Sequence, residues 1–445
     1  MRIKSFAFLI LILVIVPAAP AAQKSPPLFT ADQLRADLLQ IRETLEKNHP
    51  AVFAFTDRQS FETLVEKQRG LIDRPMTLGE FYVIAAPLVA AVACGHTRLS
   101  TPMEYWASAP DRFFPLAVRI FRGRLYVVGG PVPAGNEILR INGIASSGII
   151  SSLKSLVSSD GNNPGNVIVR VTAAFPWLYA HRYGFPQEFV VETWAPKEMK
   201  EAAFRLRPAT FAGLPADAFA RTRSTSTGDP NLDFEILSDP ADTAVLTIRS
   251  FAYYQSVERF ESFLDDSFAR IRKTGIKSLI LDLRNNAGGD PFCTTPLLGY
   301  LEPKPVPYFA REYPGGYARL AGPIPRAENA FEGKLYVLIN AGCFSSTGHL
   351  VALFKEHAIG TLIGTPTGGT YECNDAAREF ILENTRLRLF VARMTFTAAV
   401  KNQLRFHGVS PDVAIEPTID DYLSGRDADK EAALSLIKKR DPRAK

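Results

Sequence analysis

Two largely apolar runs, at 278–283 and 335–339, limit what this chain can fold into, because each leads into a loop rich in glycine and small polar residues. A strand with no polar face needs cover on both sides, which points to a parallel sheet between crossover helices. Helical periodicity at 257–273 and 346–356, and further strand patterns at 244–248 and 361–364, complete an alternating α/β order from residue 234 onward. In such sheets reacting groups gather beyond the carboxyl ends of the strands, so the loops after 283 and 339 are where chemistry is expected.

The preceding half has a different texture. Leu34, Leu38, Ile41 and Leu45 recur at helical spacing behind Thr30, a natural N-cap, and 59–71 and 76–92 repeat the style up to Ala93-Cys94-Gly95-His96-Thr97. From Arg112 short strands are expected at 114–121 and 124–128, then a strand and Asn-Gly turn over 135–143, a helix at 149–157 and a strand at 187–194. Residues 208–230 read as a connector. The expected division is a leader at 1–22, an α-helical region at 23–111, a β-rich insert at 112–205 and an α/β core at 206–445. Of 445 residues, 46% are hydrophobic and 22% charged, enough for a sizeable core. A net charge of +5 does not indicate a nucleic-acid partner.

Residues 1–22 have the form of an export signal. Arg2 and Lys4 precede an unbroken apolar run at 6–16, followed by small residues with cleavage expected near Ala21 or Ala22. The run is too short to span a bilayer, so no stable membrane insertion is expected after cleavage, and the chain is expected to be periplasmic or secreted. Cys94, Cys293, Cys343 and Cys373 would permit two disulfides in that setting, with three possible pairings. They form no CxxC pair and no zinc-like spacing, so no metal is expected. Each stands within a few residues of one of four polar or glycine-rich motifs.

The first motif is Asp282-Leu283-Arg284-Asn285-Asn286-Ala287-Gly288-Gly289-Asp290, whose paired glycines let backbone N–H groups converge on a negative charge. It has neither the phosphate-loop lysine nor the dinucleotide glycine spacing. The second, Gly342-Cys343-Phe344-Ser345-Ser346-Thr347-Gly348-His349, sets hydroxyls at a strand-to-helix turn, where one can cap the helix and another attack. The third is Gly95-His96-Thr97 and the fourth Gly364-Thr365-Pro366-Thr367-Gly368-Gly369-Thr370. Taken singly, each has an ordinary explanation as a turn, a cap or a structural histidine.

Together, in this order, and with Gly408-Val409-Ser410-Pro411-Asp412, they resemble the tail-specific, or C-terminal-processing, serine peptidases and their tricorn-core relatives, from about Leu34 to Lys438. The resemblance implies a crotonase-like catalytic core with an inserted PDZ domain; Gly135-Asn136-Glu137-Ile138-Leu139-Arg140-Ile141-Asn142-Gly143 resembles a PDZ strand and turn, and a degenerate PDZ-like insert is expected there. By motif, Ser345 matches the nucleophile, and Ser346 with Gly288 or Gly289 the oxyanion hole. Where the Ser-Lys branch carries its base this chain has Thr370, which cannot take a proton from serine. His96 matches the histidine base of the tricorn branch, and the resemblance is closer to that branch. Residues 401–407 lack the late glutamate of that branch, which leaves Glu372 and Asp375 as candidate orienting acids and His349 as a rival base below His96.

The function this implies is an exported serine-type peptidase acting on unfolded or C-terminally exposed polypeptides, with no metal or organic cofactor. The same resemblance extends to the interphotoreceptor retinoid-binding proteins, so a non-catalytic binder of apolar ligands is the alternative. An esterase-like hydrolase sharing the nucleophile is a third reading.

Overall fold

Thr30 opens the first helix: its hydroxyl accepts from the Gln33 N–H while the Gln33 side chain accepts from the Thr30 N–H, closing a capping box. The computed structural model describes residues 27–218 and 229–440, so the expected leader lies outside the described residues. Helices α1 (Ala31–Asn48), α2 (Arg58–Gly70) and α3 (Leu78–Ala90) follow, with Leu34, Leu38, Ile41 and Leu45 buried as their spacing predicts. The chain leaves α3 through Ala93, at a φ of 51°, and enters the Cys94–Thr97 turn.

Strands β1 (Ala117–Phe121), β2 (Arg124–Gly129), β3 (Glu137–Ile141), β4 (Phe189–Ala195) and β5 (Lys200–Leu206) form an antiparallel sheet in that order. Between β3 and β4 lie α4 (Ser146–Lys154), α5 (Pro164–Ala173) and α6 (Phe175–Tyr183). The expected helix at 149–157 is α4, begun three residues earlier. α5 and α6 were not expected; each begins with a proline in its first turn, where its missing N–H costs nothing.

The second half is the expected mixed α/β structure. Its sheet runs β6 (Leu232–Ile236), β7 (Thr243–Ile248), β8 (Ser278–Asp282), β9 (Lys334–Ile339), β10 (Thr361–Gly364), β11 (Val413–Ala414), parallel throughout except for β6 at one edge. Every residue of β8 is buried. On one face Leu279, Leu281 and Val337 pack with α7 (Val257–Thr274), α8 (Pro291–Leu301) and α9 (Ser346–His357). On the other, Ile280, Tyr336 and Leu338 meet Ala433 and Ile437 of α10 (Ala428–Arg440). Both faces are covered, which is why neither apolar run alternates.

A separate hydrophobic core joins residues from Leu34 to Leu206 with Leu382, Leu387, Leu389, Val391 and Ala392. The latter residues flank or belong to a hairpin, Arg378–Ile381 with Arg388–Val391, whose second strand pairs with Arg98–Ser100. Buried Asp37 of α1 fixes the hairpin turn by accepting from the N–H groups of Asn384 and Thr385 and from the Thr385 hydroxyl. The hairpin therefore reaches back from the second half of the chain to the first.

Candidate active site

The loops after β8 and β9 are built around one side chain, Asn286, which is fully buried. Its Nδ2 donates to the Ile248 carbonyl (3.0 Å), and its Oδ1 accepts from the Gly288 N–H (2.9 Å) and the Thr347 hydroxyl (2.9 Å). Its carbonyl accepts from the Phe344 N–H, so one residue aligns both loops. At the start of the first loop, burial alone would raise the Asp282 carboxyl, but Arg284 and Arg249 pull it down to about 2. Arg284 also binds Asp427 and Asp429, tying the loop to α10.

Ser345 stands at the N-cap of α9 with φ 54° and ψ −128°, a conformation that side-chain-bearing residues rarely adopt, and its side chain makes no capping hydrogen bond. Thr347 instead turns to Asn286, which leaves the Ser345 hydroxyl free of the helix. Relief of this backbone conformation gives a stability prediction. Ser345→Gly is expected to unfold at a higher temperature than Ser345→Ala, by about 1 kcal/mol in the folding equilibrium, checked by thermal melts of the two variants.

The two glycines differ. The Gly288 N–H is spent on Asn286, whereas the N–H groups of Gly289 and Ser346 have no acceptor among the described residues. Of the expected oxyanion donors, the structure thus leaves Gly289 and Ser346 available, and corrects Gly288 to a supporting position. A Cβ at Gly289, φ 146°, would sit 2.1 Å from the Phe251 carbonyl carbon, so no other residue fits there.

His96 is carried to this point by the turn after α3. Its Nε2 lies 3.1 Å from the Ser345 Oγ, and its ring lies against Phe344. A Cβ at Gly95 would come within 2.5 Å of the Phe344 ring, so that approach requires glycine. Arg170 of α5 donates to the Gly95 carbonyl (3.1 Å), and the Thr97 hydroxyl accepts from the Ala392 N–H. Asp375 Oδ2 is 3.6 Å from Nε2, the nitrogen that already faces Ser345. Glu372 is taken by Arg405 at 2.8 Å, and Thr370 donates its hydroxyl to the Glu372 carbonyl. Neither expected acid therefore serves Nδ1, which is buried and without a partner.

A further carboxylate close to His96 is that of Asp160, absent from the sequence-based expectations. Its Oδ1 accepts from the Gly95 N–H at 2.7 Å, and its Oδ2 is buried and unpartnered. A carboxylate oxygen of Asp160, a ring nitrogen of His96 and the Cys94 sulfur lie within 4.8 Å of one another. Burial raises the Asp160 carboxyl above its ordinary range, opposed by His96, the Gly95 N–H and Arg170. Burial pushes the Cys94 thiol up to about 12, and the nearby Asp160 carboxylate adds to the effect. All four cysteines are free and buried. The segment carrying Asp160 is pinned to the core loops by Asn163 on the Gly368 carbonyl (2.7 Å) and Asn166 on the Ala341 carbonyl (2.9 Å).

His349, the rival base, is buried one turn into α9, and burial pushes its imidazole down to about 3, with His96 adding to the effect. It lies beside a cavity of about 160 Å³ that also borders Ser345, Ser346 and Gly289.

Residues 242–415 match the model of Peptidase family S41. The Tricorn protease of Thermoplasma acidophilum is 30% identical over 171 residues, covering 38% of this chain and 15% of that protein. A Tricorn protease homolog of Saccharolobus solfataricus is 28% identical over 190 residues, covering 42% and 16%. The chain thus spans about a sixth of the length of the curated relatives it matches. Among solved structures, mature CPAF aligns over 92% of this chain and 97% of its own, with a TM-score of 0.61 and 14% identity. A peptidase structure from Parabacteroides merdae aligns over 91% and 96%, with a TM-score of 0.51 and 17% identity. These two share the fold across nearly the whole length. Residues 242–415 of this chain are therefore similar to Peptidase family S41, whose model they match.

Proposed function

We propose that the chain is an exported serine-type peptidase that hydrolyses unfolded or C-terminally exposed polypeptides with Ser345 as nucleophile and His96 as base. The observation that carries this reading is the 3.1 Å contact between His96 Nε2 and the Ser345 Oγ, on a hydroxyl that caps no helix. In the reaction Ser345 Oγ bonds to the scissile carbonyl carbon as Nε2 takes its proton. The carbonyl oxygen becomes negative between the Gly289 and Ser346 N–H groups, at the positive end of α9. His96 then protonates the leaving amine, and water repeats the sequence on the acyl-enzyme.

Asp160 is the acid of this reading. With Asp160 Oδ2 and His96 Nδ1 both buried and unpartnered, the carboxylate would hold the proton on Nδ1, leave Nε2 to accept, and stabilise the imidazolium that forms. The separation exceeds a hydrogen bond, as is common before substrate tightens a site. A histidine base, with Thr370 where the Ser-Lys branch has lysine, supports the tricorn-like branch. The sheet topology is read as a crotonase-like core, residues 112–205 as a degenerate PDZ-like insert, and residues 1–22 as the export signal. Among the described residues no helix is long and apolar enough to cross a membrane. The apolar-ligand-binding alternative is not favoured, since the comparisons point to peptidases and the serine–histidine contact is intact.

An arylsulfonyl fluoride tests the reading directly, because it sulfonylates an activated serine hydroxyl and expels fluoride. Mass spectrometry is expected to find one adduct, on Ser345, forming far more slowly in His96→Ala. An unmodified Ser345, or a different serine modified, would overturn it.

A further inference from the structure

The cavity beside His349 has the position and the chemistry to choose the substrate. It borders the nucleophile and both oxyanion donors, so a side chain entering it belongs to the residue whose carbonyl Ser345 attacks. Its volume of about 160 Å³ admits a single side chain. Phe309, Tyr317 and Phe396 give it aromatic walls.

Two lining residues do not suit a purely apolar pocket. Ser346 Oγ and His349 Nε2 are both buried, and neither has a hydrogen-bond partner. Buried polar atoms in folded proteins are nearly always paired, and two unpaired ones, a turn apart on one face of α9 and on residues that border one cavity, call for a partner from outside the chain. A neutral imidazole offers no charge to a carboxylate, and Asp375 on the same lining disfavours one. No lysine or arginine borders the cavity.

We infer that this cavity takes the side chain on the acyl side of the scissile bond and selects an uncharged hydrogen-bonding one, glutamine or asparagine before serine or threonine, through Ser346 Oγ and His349 Nε2. A carboxamide is favoured because it offers both a donor and an acceptor and so satisfies a hydroxyl and either tautomer of a neutral imidazole. The inference rests on the peptidase reading above.

The test is digestion of a denatured protein pool by the full chain, with the residue before each cut identified by mass spectrometry, followed by paired peptides that differ only in glutamine or leucine at that position. The wild type is expected to cut mainly after carboxamide and hydroxyl residues. The glutamine-to-leucine ratio of kcat/KM should fall at least about tenfold in His349→Leu, and in the same direction in the smaller change Ser346→Ala. Cuts chiefly after leucine, valine or alanine, cuts after lysine or arginine, or a ratio unmoved in both variants would overturn the inference. Any of these with Ser345 still sulfonylated defeats the inference alone. No cutting and no sulfonylation defeats it together with the peptidase reading.

Discussion

Ser345→Ala and His96→Ala are each expected to lower peptide cleavage at least about a thousandfold, with the double variant no slower than either single one. Equal and non-additive losses follow from the 3.1 Å contact: a serine hydroxyl is barely nucleophilic until a base removes its proton, and a base with no hydroxyl to deprotonate contributes nothing. On the proposed reading the oxyanion donors are the backbone N–H groups of Gly289 and Ser346, which survive both substitutions and should sustain a residual rate above that in water. KM is expected to change little, because neither side chain is needed to bind the ground state. Single-turnover rates on one peptide, for wild type and the three variants, check this. Independent, additive losses would mean that His96 is structural.

The second large effect is at Asp160. Asp160→Asn keeps an oxygen for the Gly95 N–H, so the turn that carries His96 should hold, with a melting temperature within a few degrees of wild type. What the variant loses is the negative charge beside the ring, and kcat should fall about a hundredfold at an unchanged KM. Because burial raises this carboxyl, its ionisation contributes to the acid side of the wild-type pH profile: activity is lost as pH falls through a value above the ordinary carboxylate range. A carboxamide in its place does not titrate, so the acid side of the variant's profile should be no steeper than one proton, against as many as two in the wild type. Asp375→Asn is the contrasting case. Its carboxylate is exposed and faces the nitrogen shared with Ser345, and its removal is expected to change kcat less than about threefold. A larger effect at Asp375 than at Asp160 would reverse the roles of the two acids.

What the sequence disclosed follows from how local each feature is. The strands β8 and β9 were legible because continuous apolar character has few meanings at that length, and the loops after them because glycine pairs and clustered hydroxyls follow directly. Ser345, Ser346, Gly289 and His96 were named from those loops and one turn, and they meet in the folded chain. Which glycine remains free was not legible, since it depends on where the Asn286 side chain points. Asp160 was hidden for a related reason. In Ser158-Ser159-Asp160-Gly161-Asn162-Asn163-Pro164 it reads as a turn residue, and only its contact with Gly95, 65 positions earlier, gives it another role. No expectation covered the strands at 372–375, 378–381, 388–391 and 394–397, whose residues are mostly only partly buried and one of whose partners, Arg98–Ser100, is nearly three hundred residues away. α5 was lost in a β-branched stretch, Val167-Ile168-Val169 with Val171 and Thr172, that reads as strand, and α6 among aromatic residues spread around the helix instead of along one stripe.

His96 is rooted in one hydrophobic core and Ser345 in the other, and the hairpin at 378–391 ties the second half of the chain to the turn beside His96. During synthesis the base leaves the ribosome about 250 residues before the nucleophile, and the strand that steadies the base's turn follows the nucleophile by more than forty. On this arrangement a nascent chain carries no competent pair while its own unfolded segments are within reach. On the peptidase reading, competence arrives only when residues near 391 have paired with residues near 98.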